Sequence, residues 1–138
     1  MDINSLVYTD EALKLIDEGT WIDDLKGAPG VSFKVKGFRS KASRDLMALR
    51  QAEARAKNQG EPVTEEQLAE ITKEILYECV LHDWKGLTDG GKTIAYSKEL
   101  AKKWITSRNG ERFAALVIQA AHRVDGYAHD MVEEVLKN

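Results

Sequence analysis

The sequence predicts an α+β fold in which helix dominates: an N-terminal β-hairpin over residues 20–38, then a packed helical region over residues 41–136, in one domain spanning 1–138. Three observations predict it. Val31, Phe33 and Val35 alternate with Ser32, Lys34 and Lys36, the period of two expected of a half-buried strand. The turn-forming run Lys26-Gly27-Ala28-Pro29-Gly30 precedes that strand and follows an extended stretch from Thr20 to Leu25. Beyond Ser40, apolar residues recur three and four positions apart among good helix formers.

Taken in order, Thr9 is placed to cap a first helix, with Asp10 and Glu11 favourably set against its dipole, and Tyr8 and Leu13 at the positions of a hydrophobic staple. That helix runs through Ile16 and stops at Gly19. Ala42 to Lys57 forms the second helix, ended by Asn58-Gln59-Gly60-Glu61-Pro62. Thr64 and Gln67 make a capping-box pair, with Val63 and Leu68 as a staple. The third helix then carries Leu68, Ile71, Ile75, Cys79 and Leu81 towards Trp84. Gly86 to Lys92 reads as a glycine-rich turn and Thr93 to Tyr96 as a short strand. Ser97 caps a helix with Leu100, Ala101, Trp104 and Ile105 on its inner face, and Asn109-Gly110 breaks the chain before the longest helix.

That last helix carries Phe113, Val117, Ala120, Val124, Tyr127 and Met131 at alternating steps of four and three, the seam spacing of packed helices. Leu116, Ala121, Ala128, Val132 and Val135 widen the face. Two readings compete: the face covers the domain's own core, or part of it meets another subunit or a client. Under the second, Phe113, Val117, Val124, Tyr127 and Met131 are the candidate protein-interaction residues.

Composition narrows the function classes. With 43% hydrophobic and 31% charged residues and ten aromatic side chains (three Trp, four Tyr, three Phe), the chain has the makings of a globular core. A net charge of −3 with mixed signs gives no one-signed field, which argues against nucleic acid as a partner. Met1 to Asp10 lacks a basic start followed by an apolar run, and no apolar stretch reaches the roughly 18 residues of a membrane span, so neither signal peptide nor membrane partner is expected. Cys79 is the only cysteine and fits a reducing compartment.

Few constellations suggest chemistry. Gly86-Leu87-Thr88-Asp89-Gly90-Gly91-Lys92-Thr93 satisfies the phosphate-loop pattern letter for letter. That pattern works between a buried strand and a helix N-terminus; here the preceding period is helical and the next helix starts only at Ser97. A structural turn is the reading adopted, with a small nucleotide-binding enzyme as its rival. Cys79 and His82 have the spacing of half a zinc site, with no second pair. His122, Asp125 and His129 share a helix face that suits either a metal or solvent. Arg44, Arg50, Arg55 and Lys57, interspersed with Asp45 and Glu53, read as a solvated face. Trp21, Trp84 and Trp104 sit at element boundaries, as core anchors or interface anchors. Neither a catalytic residue nor a cofactor is expected.

The segment from Asp83 to Ser97, with Trp84, Gly86, Asp89-Gly90 and Tyr96-Ser97, resembles the W-x-G, Asp-Gly, aromatic-Ser segment of phage tail assembly chaperones, with Ala95 where members often carry Pro. The N-terminal part is also similar: a Trp, a turn, then a V-x-F-x-V strand leading to a Ser-capped helix. The resemblance implies a mostly helical, non-enzymatic protein of the host cytoplasm, absent from the mature virion. Such a protein binds and solubilises the tape measure protein, self-associates, and counts the major tail protein as a further candidate partner. In that family a helix ends at the Trp and a new one is capped by the Ser. A minor tail or head–tail connector protein is the alternative within phage morphogenesis.

Overall fold

The computed structural model describes the backbone of residues 1–137 and the side chains of residues 1–131, so Val132, Val135 and Leu136 to Asn138 lie outside the described side chains. After a single 3-10 turn at Ile3–Ser5, helix α1 (Asp10–Glu18) starts where the Thr9 side chain accepts from Ala12 N. Gly19 stops it with φ of 81°, and its N–H closes on Leu15 O at 2.9 Å. Strands β1 (Thr20–Ile22) and β2 (Ser32–Val35) then form the expected antiparallel hairpin, in the register Thr20↔Val35 to Ile22↔Phe33. The alternation read from the sequence holds: Phe33 and Val35 are buried and Lys34 is exposed.

The helix expected to run to Trp84 does not. Helix α3 (Glu65–Ile75) gives way to a π-helical turn at Leu76–Val80 and then to strand β3 (Leu81–Lys85). β3 pairs antiparallel with β2, so the hairpin becomes a three-stranded sheet in the order β1-β2-β3. The physical reason is that β2 has a second edge to satisfy, and pairing there turns Leu81 and Trp84 inward beside Val35 and Phe33. Ile75, Leu76, Cys79 and Val80 are buried on both sides of the turn, which blurs the helical period in the sequence. The ladder shifts register between Lys34 and Val35, leaving His82 without an opposite partner.

The remaining helices pack on one another and, through the last of them, on the sheet. Helix α2 (Lys41–Lys57) begins at Ser40, whose hydroxyl accepts from Ser43 N at 3.1 Å. It ends in a Schellman turn, Gly60 N to Arg55 O at 2.8 Å and Gln59 N to Ala56 O at 3.2 Å, with Gln59 at φ of 56°. The Thr64–Gln67 capping box forms, and Gln67 also exchanges two side-chain bonds with Asn58, so the end of α2 is tied to the start of α3. Arg50 grips Glu74 of α3 through two bonds at 2.8 and 3.0 Å. The staple residues Leu13 and Leu68 are exposed instead, because Tyr8 and Val63 pack on tertiary clusters.

Helix α4 (Lys98–Thr106) buries Ala101 and Ile105, and helix α5 (Glu111–Lys137) buries Val117, Ala120, Ala121 and Val124 against the sheet. The fold is therefore α+β and mainly helical, as the sequence predicts. Among the described residues no helix is long and apolar enough to cross a membrane.

Two glycines at positive φ differ in what surrounds them. A Cβ on Gly86, at φ of 85°, would lie 2.0 Å from Gly30 O in the β1–β2 turn, whereas one on Gly90, at φ of 58°, would meet nothing within 4 Å. Gly86→Ala is therefore expected to cost about 2 kcal/mol or more, and Gly90→Ala about 1 kcal/mol from backbone strain alone. Urea unfolding of the two variants checks the order; equal costs would show that the turn yields at Gly30.

Candidate interaction site

The residues singled out by the sequence fall in two places, the segment from Trp84 to Ser97 and the apolar stripe of α5. Trp84 lies on the inner face of β3, 4% exposed, and its Nε1 donates to Ile94 O at 2.8 Å. Its ring meets Tyr96 at 5.0 Å, Trp104 at 5.5 Å and Phe113 at 5.9 Å between centroids. Phe113 also meets Phe33 at 5.5 Å and Trp104 at 5.2 Å, so one aromatic box joins β2, β3, α4 and α5. Tyr96 donates to Leu81 O at 3.4 Å, and burial pushes its phenol pKa up. Ser97 caps α4 as expected, accepting from Leu100 N at 3.1 Å. Trp84 belongs to a strand, so the expectation that it ends a helix is corrected.

The phosphate-loop letters fold as a hairpin. Strands β4 (Thr88–Asp89) and β5 (Lys92–Thr93) pair antiparallel across Gly90 and Gly91, both at positive φ, the backbone a two-residue turn needs. A strand does precede Gly86, contrary to the helical period read there, but Lys92 and Thr93 are exposed on β5 and α4 begins only at Lys98. The strand expected over Thr93 to Tyr96 is confined to Lys92–Thr93, with one more bond in the same register, Ile94 N to Leu87 O at 2.9 Å. These amides serve a ladder and not the N-terminus of a helix.

The stripe on α5 is divided. Val117 and Val124 are 0% exposed in the main core, and Phe113 is in the aromatic box. A partner thus reaches neither valine while the chain stays folded. Met131 packs on a small second cluster of Ala12, Ile16 and Ala128, with Tyr8 and Leu15 beside it. Tyr127 is 41% exposed, and its hydroxyl accepts from Arg123 at 3.0 Å.

Sequence reasoning missed the junction between sheet and α2. Asp125 accepts from Phe38 N at 3.1 Å and Arg39 N at 3.5 Å, and Lys41 N donates to Asp17 Oδ1 at 2.9 Å. Gly37 N donates to Ile16 O at 3.1 Å, and a Cβ there would lie 2.2 Å from Asp125 Oδ1. The only signal in the sequence is Gly37 itself, placed between a strand and a helix cap. Asp125 thus works on backbone amides, while His122 tilts against the Phe38 ring at 5.2 Å. Burial pushes the Asp125 carboxyl above its ordinary 3.8, against the two amides and the Arg39 and His122 charges. Cys79 is buried with its thiol pKa pushed up by that burial, and His82 Nε2 is bonded to Cys79 O at 3.0 Å.

Around Arg39 the surface is apolar and mixed in charge. Leu6 and Val7 line a cleft with Tyr8, Arg39 and His129, and Leu13 lines a second with Asp17, Arg39, Lys41 and Arg44. Leu6, Val7 and Leu13 are all exposed, as is Ile3 in the turn against α5. No sequence periodicity marks this patch, because it comes from three separate segments.

Fold and site together define a helix-rich α+β protein whose motif residues hold its architecture and whose apolar surface gathers where α1 crosses α5. The chain belongs to the YdaY prophage protein family, whose model matches residues 38–138. It is thus a prophage protein, and the matched part starts at the Phe38 junction and includes α2 to α5. No curated protein and no solved structure matches the chain.

Trp84→Ala is expected to cost about 3 kcal/mol or more, from lost ring packing and the orphaned Ile94 carbonyl, and exposed Lys92→Ala under about 0.5 kcal/mol. Chemical denaturation measures both; similar large losses would revive a ligand site at the hairpin. Asp125 sets a pH dependence. An acid with a raised native pKa binds its proton more tightly when folded. Its stabilising contribution is therefore complete below the unfolded value near 3.8 and is lost as pH rises through the native pKa. Carboxyl NMR should give Asp125 a midpoint above 3.8, and the stability difference between wild type and Asp125→Asn should move in favour of wild type as pH falls. A midpoint at or below 3.8 contradicts this.

Proposed function

We propose that this prophage protein is a tail assembly chaperone, a binding protein rather than an enzyme, which holds the tape measure protein soluble in the host cytoplasm until tail subunits polymerise. The observation that carries the reading is the exposed apolar patch of Ile3, Leu6, Val7 and Leu13, rimmed by Arg39, Lys41, Arg44 and Asp45. Such a surface suits reversible cover of a long, partly apolar helix: apolar area supplies attraction, and the charged rim keeps the free protein soluble. Two further facts support it. The chain belongs to a prophage family, and the Trp84–Ser97 segment that resembles the chaperones is spent on packing and capping, as suits a family without catalytic residues.

Co-expression with the tape measure protein of the same prophage tests the proposal. The client is expected to be soluble only with this chain and to be recovered in complex with it. Leu6→Asp or Leu13→Asp should lower recovery severalfold without moving the unfolding midpoint, because both side chains are exposed. Val124→Asp should unfold the chain outright, since it buries a charge in the core. A client equally soluble with and without this chain, with no complex recovered, sinks the reading; the chain's presence in finished particles would favour a minor tail or connector role.

A further inference from the structure

We propose that the cleft between the β1–β2 connection and the first half of α5 is a binding site for a small organic oxyanion, a carboxylate or a phosphate ester on a short apolar body. The proposal is independent of the chaperone reading, since the cleft lies towards the start of α5, away from the contacts with α1. Lys26 and Gly27 of the connection and Arg112, Ala115, Leu116 and Gln119 of α5 line about 220 Å³. The four helical residues are three, one and three positions apart, which places them on one stripe of α5, beside the stripe of Val117, Ala120, Ala121 and Val124 in the core.

Gln119 carries the argument. Its Oε1 is buried and has no hydrogen-bond partner among the described residues, and no described group bonds its Nε2. A buried polar atom without a partner lowers stability, and the large majority of such atoms in folded proteins are paired. Leu or Met at this position would fill the same space without that cost. The fold therefore gives no reason for an amide here, and a ligand does. An amide whose two ends are both unspent can turn about its last bond and present its N–H to an anion in the cleft.

The charges around that amide set the sign of the ligand. Lys26 and Arg112 are exposed, neither joins an ion pair among the described residues, and no acid lines the cleft. A guanidinium fork matches the oxygens of a carboxylate or a phosphate, and an ammonium adds a point charge. Ala115 and Leu116 supply an apolar wall. The volume lies below the roughly 300 Å³ at which sites for drug-sized ligands begin, so the apolar body is a few carbons long. The connection is held where it can place Lys26. Leu25 is 3% exposed in the main core, Arg123 Nη1 donates to Asp23 O at 2.6 Å and to Asp24 O at 3.3 Å, and Ala28 N closes the turn on Leu25 O at 3.1 Å. The cleft is thus formed before a ligand enters, and little freedom is lost on binding.

The test titrates the full chain with sodium butyrate, butyl phosphate and sodium acetate, with sodium chloride at matched ionic strength as the blank, and follows the Gln119 side-chain amide by NMR. That amide should shift and saturate with a butyl probe and stay put in chloride. Butyrate should bind roughly tenfold more tightly than acetate, from two further methylenes against the apolar wall. The tighter of butyrate and butyl phosphate assigns the oxyanion as carboxylate or phosphate. Lys26→Ala and Arg112→Ala should each weaken binding severalfold without moving the unfolding midpoint, because both side chains are exposed. Gln119→Leu should abolish binding and unfold at the same or a higher urea concentration. The proposal is overturned by the absence of a saturable shift with both butyl probes, by a Gln119→Leu chain that binds as wild type does, or by one that unfolds at lower urea, since the amide would then serve the fold.

Discussion

The passage from sheet to helices depends on how the five backbone amides from Gly37 to Lys41 are satisfied. They sit where the sheet hands over to the helices, and each finds an acceptor: Ile16 O, both oxygens of Asp125, Gly37 O, and Asp17. The acceptors come from α1, from α5 and from the turn itself, so one short stretch of chain fixes three elements relative to one another. Burial makes this binding, because a buried N–H without a partner costs on the order of 1–3 kcal/mol. Gly37 is buried, Ser40 and Ser43 beside it are buried, and both serines are hydrogen-bonded locally. Asp125 bears the cost of this arrangement in its own ionisation, since water is displaced from a carboxylate that two amides only partly replace.

The aromatic box is the second fixed point, and it acts on the other end of α5. Phe113 touches Phe33 of the sheet, Trp104 of α4 and Trp84 of β3. Trp84 then reaches past the small hairpin to Ile94 O. The hairpin of Thr88 to Thr93 is thus a spacer that lets the chain leave β3, reverse, and return under the tryptophan before α4 starts. That explains why letters which elsewhere cradle phosphate occur here without a following helix. Gly86 lets the backbone pass Gly30, and Gly90-Gly91 close the turn.

Local chemistry was legible in the sequence and tertiary rivalry was not. The caps at Thr9, Thr64 and Ser97 are set within four residues of chain, and all three act as their spacing implies. The alternation in Val31 to Val35 likewise needs no distant information. The segment from Leu76 to Lys85 is different. Its residues suit a helix by composition, and what turns them into a π-helical turn and a strand is an unpaired edge of β2 some forty residues earlier. Leu13 and Leu68 failed as staples for the same reason, because Tyr8 and Val63 found larger apolar clusters. On α5 the four–three spacing located the apolar stripe correctly but not its owners: Val117 and Val124 went to the core, Met131 to the α1 cluster, and Tyr127 to the surface.

That division has a consequence for how such a protein can bind at all. A stripe wholly used by the core offers a partner nothing, and one left wholly bare would drive the free protein to aggregate. Here the near half of α5 is committed to the sheet by Val117, Ala120, Ala121 and Val124, which makes the helix rigid up to the Asp125 junction. The far half projects from that anchor, and what covers it is short, separately clustered and joined through a glycine. Two separate clusters thus meet different turns of one helix, and Asp125 marks the boundary between them. A rigid near half gives the far half a defined direction, and α1 closes over it through Ala12 and Ile16 against Ala128 and Met131.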